Sequence, residues 1–304
     1  MVRGESVISV KQEGSDLTGS KPSPQSPSAS ARRTFLKRAL FVTPFLSGAG
    51  LLYAHNVEPD ALGVTHLTVP IPGWKHPDLA VGHIADLHCV SPHSVERTVR
   101  ATKLLLAQNP DIVFLTGDYI SRDAKRWAAL AARALAPLAA APGGAYAVLG
   151  NHDWSSGDPD LVALELQRVG FTVLRNRSLP LPGKPDVWAV GLDDRLMNQH
   201  DAGRALRNVP EHAIKLLLVH EPDYADDAPD GIALQFSGHS HGGQVRIPGL
   251  PPLHEPRYAH LYPEGLQQSK KHRVFTTRGV GMTGMQYRFC CPPEVVMLRL
   301  TQTT

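Results

Sequence analysis

Five short apolar, β-branched runs in this chain each break off into Gly, Asp, Asn or His, and that repeated junction restricts the fold more than any other feature. Ile84-Ala85 leads into Asp86-Leu87-His88, Phe114-Leu115-Thr116 into Gly117-Asp118, and Val148-Leu149 into Gly150-Asn151-His152-Asp153. Leu218-Val219 leads into His220, and Gln235-Phe236-Ser237 into Gly238-His239-Ser240-His241-Gly242-Gly243-Gln244. In α/β architectures the C-terminal ends of strands and the loops after them build the site. Five such ends therefore offer carboxylate, amide and imidazole groups to a common rim. Side chains at i and i+2 of an extended segment point the same way, which groups Asp86 with His88 and His239 with His241. Gly117, Gly150 and Gly238 suit turns where a Cβ would block a backbone angle or a close approach. Taken singly, each of these residues reads as an ordinary turn former; their joint occurrence in one order argues against that.

Periodicity around these junctions predicts strands at 79–85, 111–116, 144–149, 171–174, 187–190, 214–219 and 232–236. It predicts helices over 94–108, with Val95, Val99, Thr102 and Leu106 on one face, over 124–139, and over 159–169 with Asp158 as N-cap. After residue 244 the runs 244–247, 273–276, 285–289 and 294–300 read as strands without long helices between them. The first half thus suggests βαβ units and the second a more antiparallel sheet. Two packed mixed sheets with helices outside accommodate both, in one domain.

The N-terminus differs in kind. Residues 1–54 carry seven Lys/Arg and three Asp/Glu, so the excess of +4 there leaves the remaining chain at −1. A near-neutral folded part gives no support to nucleic-acid binding. Residues 1–31, rich in Ser, Pro, Gly and Lys, lack the apolar side chains to offset chain entropy and read as disordered. Ala31-Arg32-Arg33-Thr34-Phe35-Leu36-Lys37 resembles a twin-arginine export signal, followed by an uncharged stretch from Ala39 to Ala54 broken by Pro44, Gly48 and Gly50. That stretch is short for a membrane span, which needs about 20 apolar residues, and fits residues 32–54 as a signal or retained anchor ahead of a catalytic domain over 55–304. Cys89, Cys290 and Cys291 make neither a disulfide framework nor a zinc knuckle, and adjacent cysteines in a strand point apart.

Mixed N/O ligands without thiolate favour Mn, Zn or Fe. The set Asp86-x-His88, Gly117-Asp118, Gly150-Asn151-His152-Asp153, His220 and Gly238-His239-x-His241 resembles the five signature motifs of calcineurin-like metallophosphoesterases. Gly191-Leu192-Asp193-Asp194, His220-Glu221-Pro222-Asp223, Tyr262-Pro263-Glu264-Gly265, Arg288 and Pro293-Glu294 are similar to the bacterial membrane-associated or exported branch of that family. The resemblance implies a four-layer α-β-β-α sandwich of two mixed β-sheets flanked by helices. It implies two divalent metal ions: Asp86, His88 and His241 on the first, Asn151, His220 and His239 on the second, and Asp118 bridging. His152 would protonate the leaving oxygen while a metal-bridging hydroxide attacks phosphorus in line.

The expected activity is a phosphodiesterase acting on a phosphodiester or pyrophosphate, with a lipid-linked or envelope substrate such as UDP-2,3-diacylglucosamine as candidate. Lipid A precursors of that kind are made on the cytoplasmic side, whereas export by the twin-arginine machinery would place the domain at the periplasmic side of the inner membrane, which favours an external phosphoester. The alternatives are a phosphomonoesterase or nucleotidase sharing the metal chemistry, and a catalytically silent metal-bound scaffold. His83, His93, His200, His212 and His272 are assigned ordinary roles, while His254, Tyr258, His260, Tyr262 and Arg288 stay open between cleft lining and plain surface or strand positions.

Overall fold

The computed structural model describes residues 48–247 and 250–303; the disordered reading of 1–31 and the twin-arginine motif lie outside them. The chain runs through helix α1 (Gly48–Asn56), strands β1 (Gly63–Ile71) and β2 (Leu79–Ile84), and helix α2 (Pro92–Leu106). Strand β3 (Ile112–Thr116), helix α3 (Ala124–Leu135), strand β4 (Ala145–Val148), helices α4 (Asn151–Ser155) and α5 (Pro159–Arg168) and strand β5 (Thr172–Val173) follow. Then come β6 (Arg177–Leu181), β7 (Lys184–Gly191), α6 (Ala202–Leu206), β8 (Ile214–Leu218), β9 (Ile232–Ser237), β10 (Gly265–Gln268), β11 (Arg273–Thr276) and β12 (Glu294–Gln302). Two six-stranded mixed sheets result, ordered β1-β12-β2-β3-β4-β5 and β10-β11-β9-β8-β7-β6.

Strand β3 shows why the junction runs are apolar throughout. All five of its residues are buried. Ile112 and Phe114 face the second sheet, while Val113 and Leu115 face the helical layer. A strand covered on both faces needs no polar alternation. Between the sheets Phe114 packs edge-on against Phe236 at 4.9 Å and Tyr146 at 6.1 Å. Each such ring contributes roughly 1.5–3 kcal/mol by burial, and the Phe114–Phe236 contact joins one sheet to the other. Helices α2, α3 and α5 cover the first sheet. The outer face of the second has thinner cover, with α6 and a 3₁₀ turn at Pro222–Asp226 contributing Ala205 and Tyr224 to its small core.

Several expectations shift for physical reasons. Helix α2 starts earlier than predicted because Ser91 caps it: the Ser91 hydroxyl accepts from Ser94 N–H (3.2 Å) and Ser94 Oγ accepts from Ser91 N–H (3.0 Å). Its buried face is Ser94, Arg97, Thr98, Ala101, Thr102 and Leu105, with Val95, Val99 and Leu106 half-buried at its margin. Polar groups are tolerated on that face because they are partnered; Thr98 Oγ1 donates to Ser94 O, and Arg97 to Asp60. Helix α3 gives way to a 3₁₀ turn at Ala136–Ala140, where Pro137 lacks the N–H an α-helix requires. Asp158 caps α5 as predicted, accepting from Leu161 N–H.

The second sheet corrects the antiparallel expectation. β7, β8, β9 and β11 are parallel, and the edge strands β6 and β10 run antiparallel. Parallel neighbours need crossovers of a dozen or more residues. Residues 192–213, 219–231 and 238–272 supply them mostly as loop, so no helical period advertised the topology. The predicted strands 244–247 and 285–289 reduce to one bridge between Val245 and Phe289. Edge strands β1, β6 and β10 went unpredicted, their polar alternation and Pro70 or Pro180 masking them.

His83, on β2, sits fully buried between the sheets, its Nε2 2.9 Å from Thr116 Oγ1 and its ring edge-on to Phe236 and Phe275. Burial pushes it down to about 3. An unfolded histidine titrates near ~6.5, so the unfolded chain takes up this proton first. The stability His83 contributes as a neutral ring is complete above the unfolded value and is lost as pH falls toward the folded one. Between pH ~6 and ~4, wild type should lose about 1.4 kcal/mol per pH unit more than His83→Gln, measured by urea unfolding at each pH. Parallel profiles for the two proteins would refute this account.

Candidate functional site

All eight residues singled out from the sequence gather at the C-terminal ends of β2, β3, β4, β8 and β9, so both sheets contribute to one rim. The turns that bring them there are tight. Asp86, His88, Asp118, His239 and His241 all have φ between 47° and 69°, a left-handed conformation that non-glycine residues adopt at a cost. Two glycines make the approach possible. A Cβ on Gly150 would lie 2.3 Å from Asp118 Oδ1, and one on Gly238 would lie 2.6 Å from Asp86 Oδ2.

Three groups of side chains place their ligand atoms within 4.8 Å of one another: Asp86, His88 and His241; Asp118, His220 and His239; and His88, Asp118 and His152. Asp118 Oδ2 lies 3.5 Å from His88 Nε2 and 3.2 Å from His220 Nε2, between the first two groups. Asn151 opens α4 directly after Gly150, whose backbone lies against the Asp118 carboxylate.

Hydrogen bonds on the far side of each ring fix which atom faces inward. His220 Nδ1 donates to Thr116 O (2.6 Å), leaving Nε2 toward Asp118. His239 Nε2 donates to Arg257 O (2.9 Å), leaving Nδ1. His88 Nδ1 meets Ser121 Oγ at 2.8 Å, and its Nε2 sits 2.9 Å from His241 Nε2. Such outer contacts hold ring and tautomer in place for a metal. Both Asp86 oxygens accept from His239 N–H, at 3.0 and 3.1 Å, tying the two sheets together.

The donor set fits divalent cations. His241 Nδ1 and Asn151 Oδ1 are buried without a hydrogen-bond partner, a costly state for polar atoms unless something else satisfies them. Burial pushes His88 down to about 3 and His239 to about 4, and holds His241 well below the usual range with help from His88. These rings are neutral and keep lone pairs for coordination. Burial works against protonating His220, but the charges of Asp118 and Asp86 hold it well above its ordinary value. Burial raises Asp86 to about 7, opposed by His220. Close, unscreened charges of this kind are what a cation would compensate.

His152 is half-buried at the mouth. Its N–H donates to Asp118 Oδ1 (2.9 Å), its ring stands edge-on to His88, and its Nε2 is 3.3 Å from Thr283 Oγ1. Of the positions left open, His254 lies 6.1 Å from the His241 ring, beside the cluster. Arg288 is fully buried and donates to the carbonyls of Gly281, Cys291, Arg278 and Gly279, so it frames a loop. Tyr262 bonds Asp226, His260 is exposed beside Glu255, and Tyr258 lies under the guanidinium groups of Arg195 and Arg257. All three cysteines are free.

Two supporting groups had no assigned role. Asp153 accepts from the N–H groups of Asp118 (2.8 Å), Tyr119 (2.9 Å), Ile120 (3.2 Å) and Gly150 (3.0 Å), and so builds the turn that aims Asp118. Its signal was an acidic residue in the first turn after a glycine N-cap. Beside His220, burial and the charge of Glu221 push Asp194 up to about 10, while Glu221 accepts from Arg195 and Leu196 N–H.

Buried carboxylates and imidazoles gathered around Asp118 at the ends of parallel strands form a candidate metal centre of a hydrolase. Residues 79–243 match the calcineurin-like phosphoesterase family. The chain belongs to that family and is a metal-dependent phosphoester hydrolase. It is 31% identical to the uncharacterized metallophosphoesterase YkuE of Bacillus subtilis, over 90% of this chain and 98% of that protein. It is 32% identical to the phosphodiesterase YaeI of Escherichia coli, over 89% and 99% of the two chains. To the UDP-2,3-diacylglucosamine pyrophosphatase LpxG of Chlamydia trachomatis it is 25% identical, over 82% and 92%.

Gly150→Ala tests the close approach. The added methyl must displace Asp118, and a misplacement near 1 Å costs on the order of 100-fold in turnover. Circular dichroism should stay native while phosphoesterase activity falls by about that factor; unchanged activity would show that the carboxylate position is not critical.

Proposed function

We propose that this protein is a dinuclear metal-dependent phosphodiesterase. The observation that carries the reading is the position of Asp118 Oδ2, 3.5 Å from His88 Nε2 and 3.2 Å from His220 Nε2, shared between two ligand groups. Asp86, His88 and His241 would hold one cation and Asn151, His220 and His239 the other, with Asp118 common to both. When bound, two such cations lower the pKa of water and neutralise phosphate charge. The chain supplies the rest. Thr116 O and Arg257 O hold the rings of His220 and His239, and Asp153 holds Asp118. His152, partly open to the mouth, donates a proton to the leaving oxygen as general acid.

The substrate class we favour is a phosphodiester or pyrophosphate on a lipid-linked or envelope molecule. Two relatives are named a phosphodiesterase and a UDP-2,3-diacylglucosamine pyrophosphatase. Helix α1 adds an apolar surface, exposing Leu51, Leu52 and Tyr53. No helix among the described residues is long and apolar enough to cross a membrane. In this reading membrane contact and export belong to the segment 32–54, with residues 55–304 as the catalytic domain on the periplasmic side.

Hydrolysis of bis-p-nitrophenyl phosphate and p-nitrophenyl phosphate after chelation, with Mn or Zn added back, tests the reading. Metal-restored turnover preferring the diester is expected, and a preference for the monoester would favour a phosphomonoesterase. His152→Ala should lower kcat roughly 10²–10⁴-fold with bound metal unchanged by elemental analysis. Full activity in that variant would remove His152 from the mechanism.

A further inference from the structure

The chain between β11 and β12 meets His152 at Thr283, whose Oγ1 lies 3.3 Å from His152 Nε2. The other ring nitrogen, Nδ1, is 3.5 Å from Ser121 O, a carbonyl that can only accept. With Nδ1–H turned toward that carbonyl, Nε2 is the nitrogen left to carry a transferable proton. Thr283 is the group of the protein that it faces.

Thr283 is held in place by a side chain from another strand junction. Gln244, fully buried, follows directly on His241-Gly242-Gly243. Its Oε1 accepts from Thr283 N–H (3.1 Å), and its Nε2 donates to Thr283 O (3.1 Å) and to Met285 O (2.5 Å). The carboxamide thus grips Thr283 at both its N–H and its C=O. Gln244 O also accepts from Phe289 N–H (3.1 Å), which fastens the far end of the same loop. Residues 284–286 are exposed, so this grip, and not packing from that side, fixes Thr283.

A hydroxyl suits the position because it serves both protonation states of the ring. It accepts from Nε2–H while His152 carries the proton, and donates to the Nε2 lone pair once the proton has left. A carbonyl or an N–H could do only one of these. We infer that Thr283, gripped by Gln244, is the positioning residue of the general acid, holding the Nε2 edge of His152 at the mouth of the site. The proton passes from Nε2 to the leaving oxygen as the P–O bond breaks. The Thr283 hydroxyl then donates to Nε2, and water returns the proton between turnovers. The inference rests on the reading of His152 as general acid. It ties that acid to residues 238–244, the segment that also carries His239 and His241.

Leaving-group dependence tests this in the metal-loaded full chain, because a poor leaving group needs the proton more than a good one does. Turnover is measured on bis-p-nitrophenyl phosphate and on bis-2,4-dinitrophenyl phosphate, whose phenolate leaves more readily. Thr283→Val should lower kcat on the first about tenfold, the size of one hydrogen bond, and leave the second ester and the bound metal close to wild type. Thr283→Ser, which keeps the hydroxyl, should restore the first. An equal loss on both esters, no loss on either, or no rescue by Thr283→Ser would overturn the inference. His152→Ala measured alongside separates the two claims. If its loss is the same for both esters, the general-acid reading itself fails. If its loss depends on the leaving group and that of Thr283→Val does not, only the role of Thr283 falls.

Discussion

A carboxylate buried away from solvent has to be compensated by its surroundings, and Asp118 is such a group. Although burial opposes its ionisation, the neighbouring His220 holds its carboxyl well below the usual carboxylate range. Asp153 gathers four backbone N–H groups to form the turn that carries it, and the bare backbone of Gly150 makes room beside it. Asp118 in turn receives His152 N–H and stands between His88 and His220. Removing any one of these contacts leaves a charge or a donor unmatched in a low-dielectric site.

This arrangement carries strain. Five site residues hold left-handed backbone angles, at roughly 1–3 kcal/mol each for non-glycine residues. That total, roughly 5–15 kcal/mol, is the same size as the net stability of a whole domain. The core must therefore be large. A helical layer packs on the first sheet, an inter-sheet layer is centred on Phe114 and Phe236, and a smaller core lies outside the second sheet. Two hydrogen bonds at the rim, from His239 N–H to Asp86 and from His220 to Thr116 O, join ligands of one sheet to the other. Sheet packing and site geometry are thus one constraint.

The site was legible because its parts are local. Each candidate residue lies just after a buried strand, and Gly150 and Gly238 mark where the backbone must come close to a carboxylate. Residues whose roles depend on distant partners were not legible. Asp153 reads as any helix-start acid until the loop 117–120 folds over it. Arg288 stays open in the sequence between cleft lining and a surface or strand position, yet it is buried among four carbonyls of its own loop. Glu58 carries no motif; its role lies in accepting from the N–H groups of Cys290 and Cys291, far away in sequence.

The sequence by itself determined the junctions: which runs are buried on both faces, which polar groups end them, and in what order. Local periodicity and turn chemistry encode these, so strands β2, β3, β4, β5 and β12 of the first sheet, the helical layer and the polar residues that end the strands could be read directly. Tertiary structure decided the rest. It turned the second sheet parallel, because long crossovers without helical period leave strand direction to packing. It gathered the carboxylates and imidazoles of these junctions into clusters around Asp118, because their mutual distances depend on how two sheets pack. It also tied Ala54 and Glu58 to the loop at 288–291, because hydrogen bonds spanning more than 200 residues leave no pattern in a linear chain.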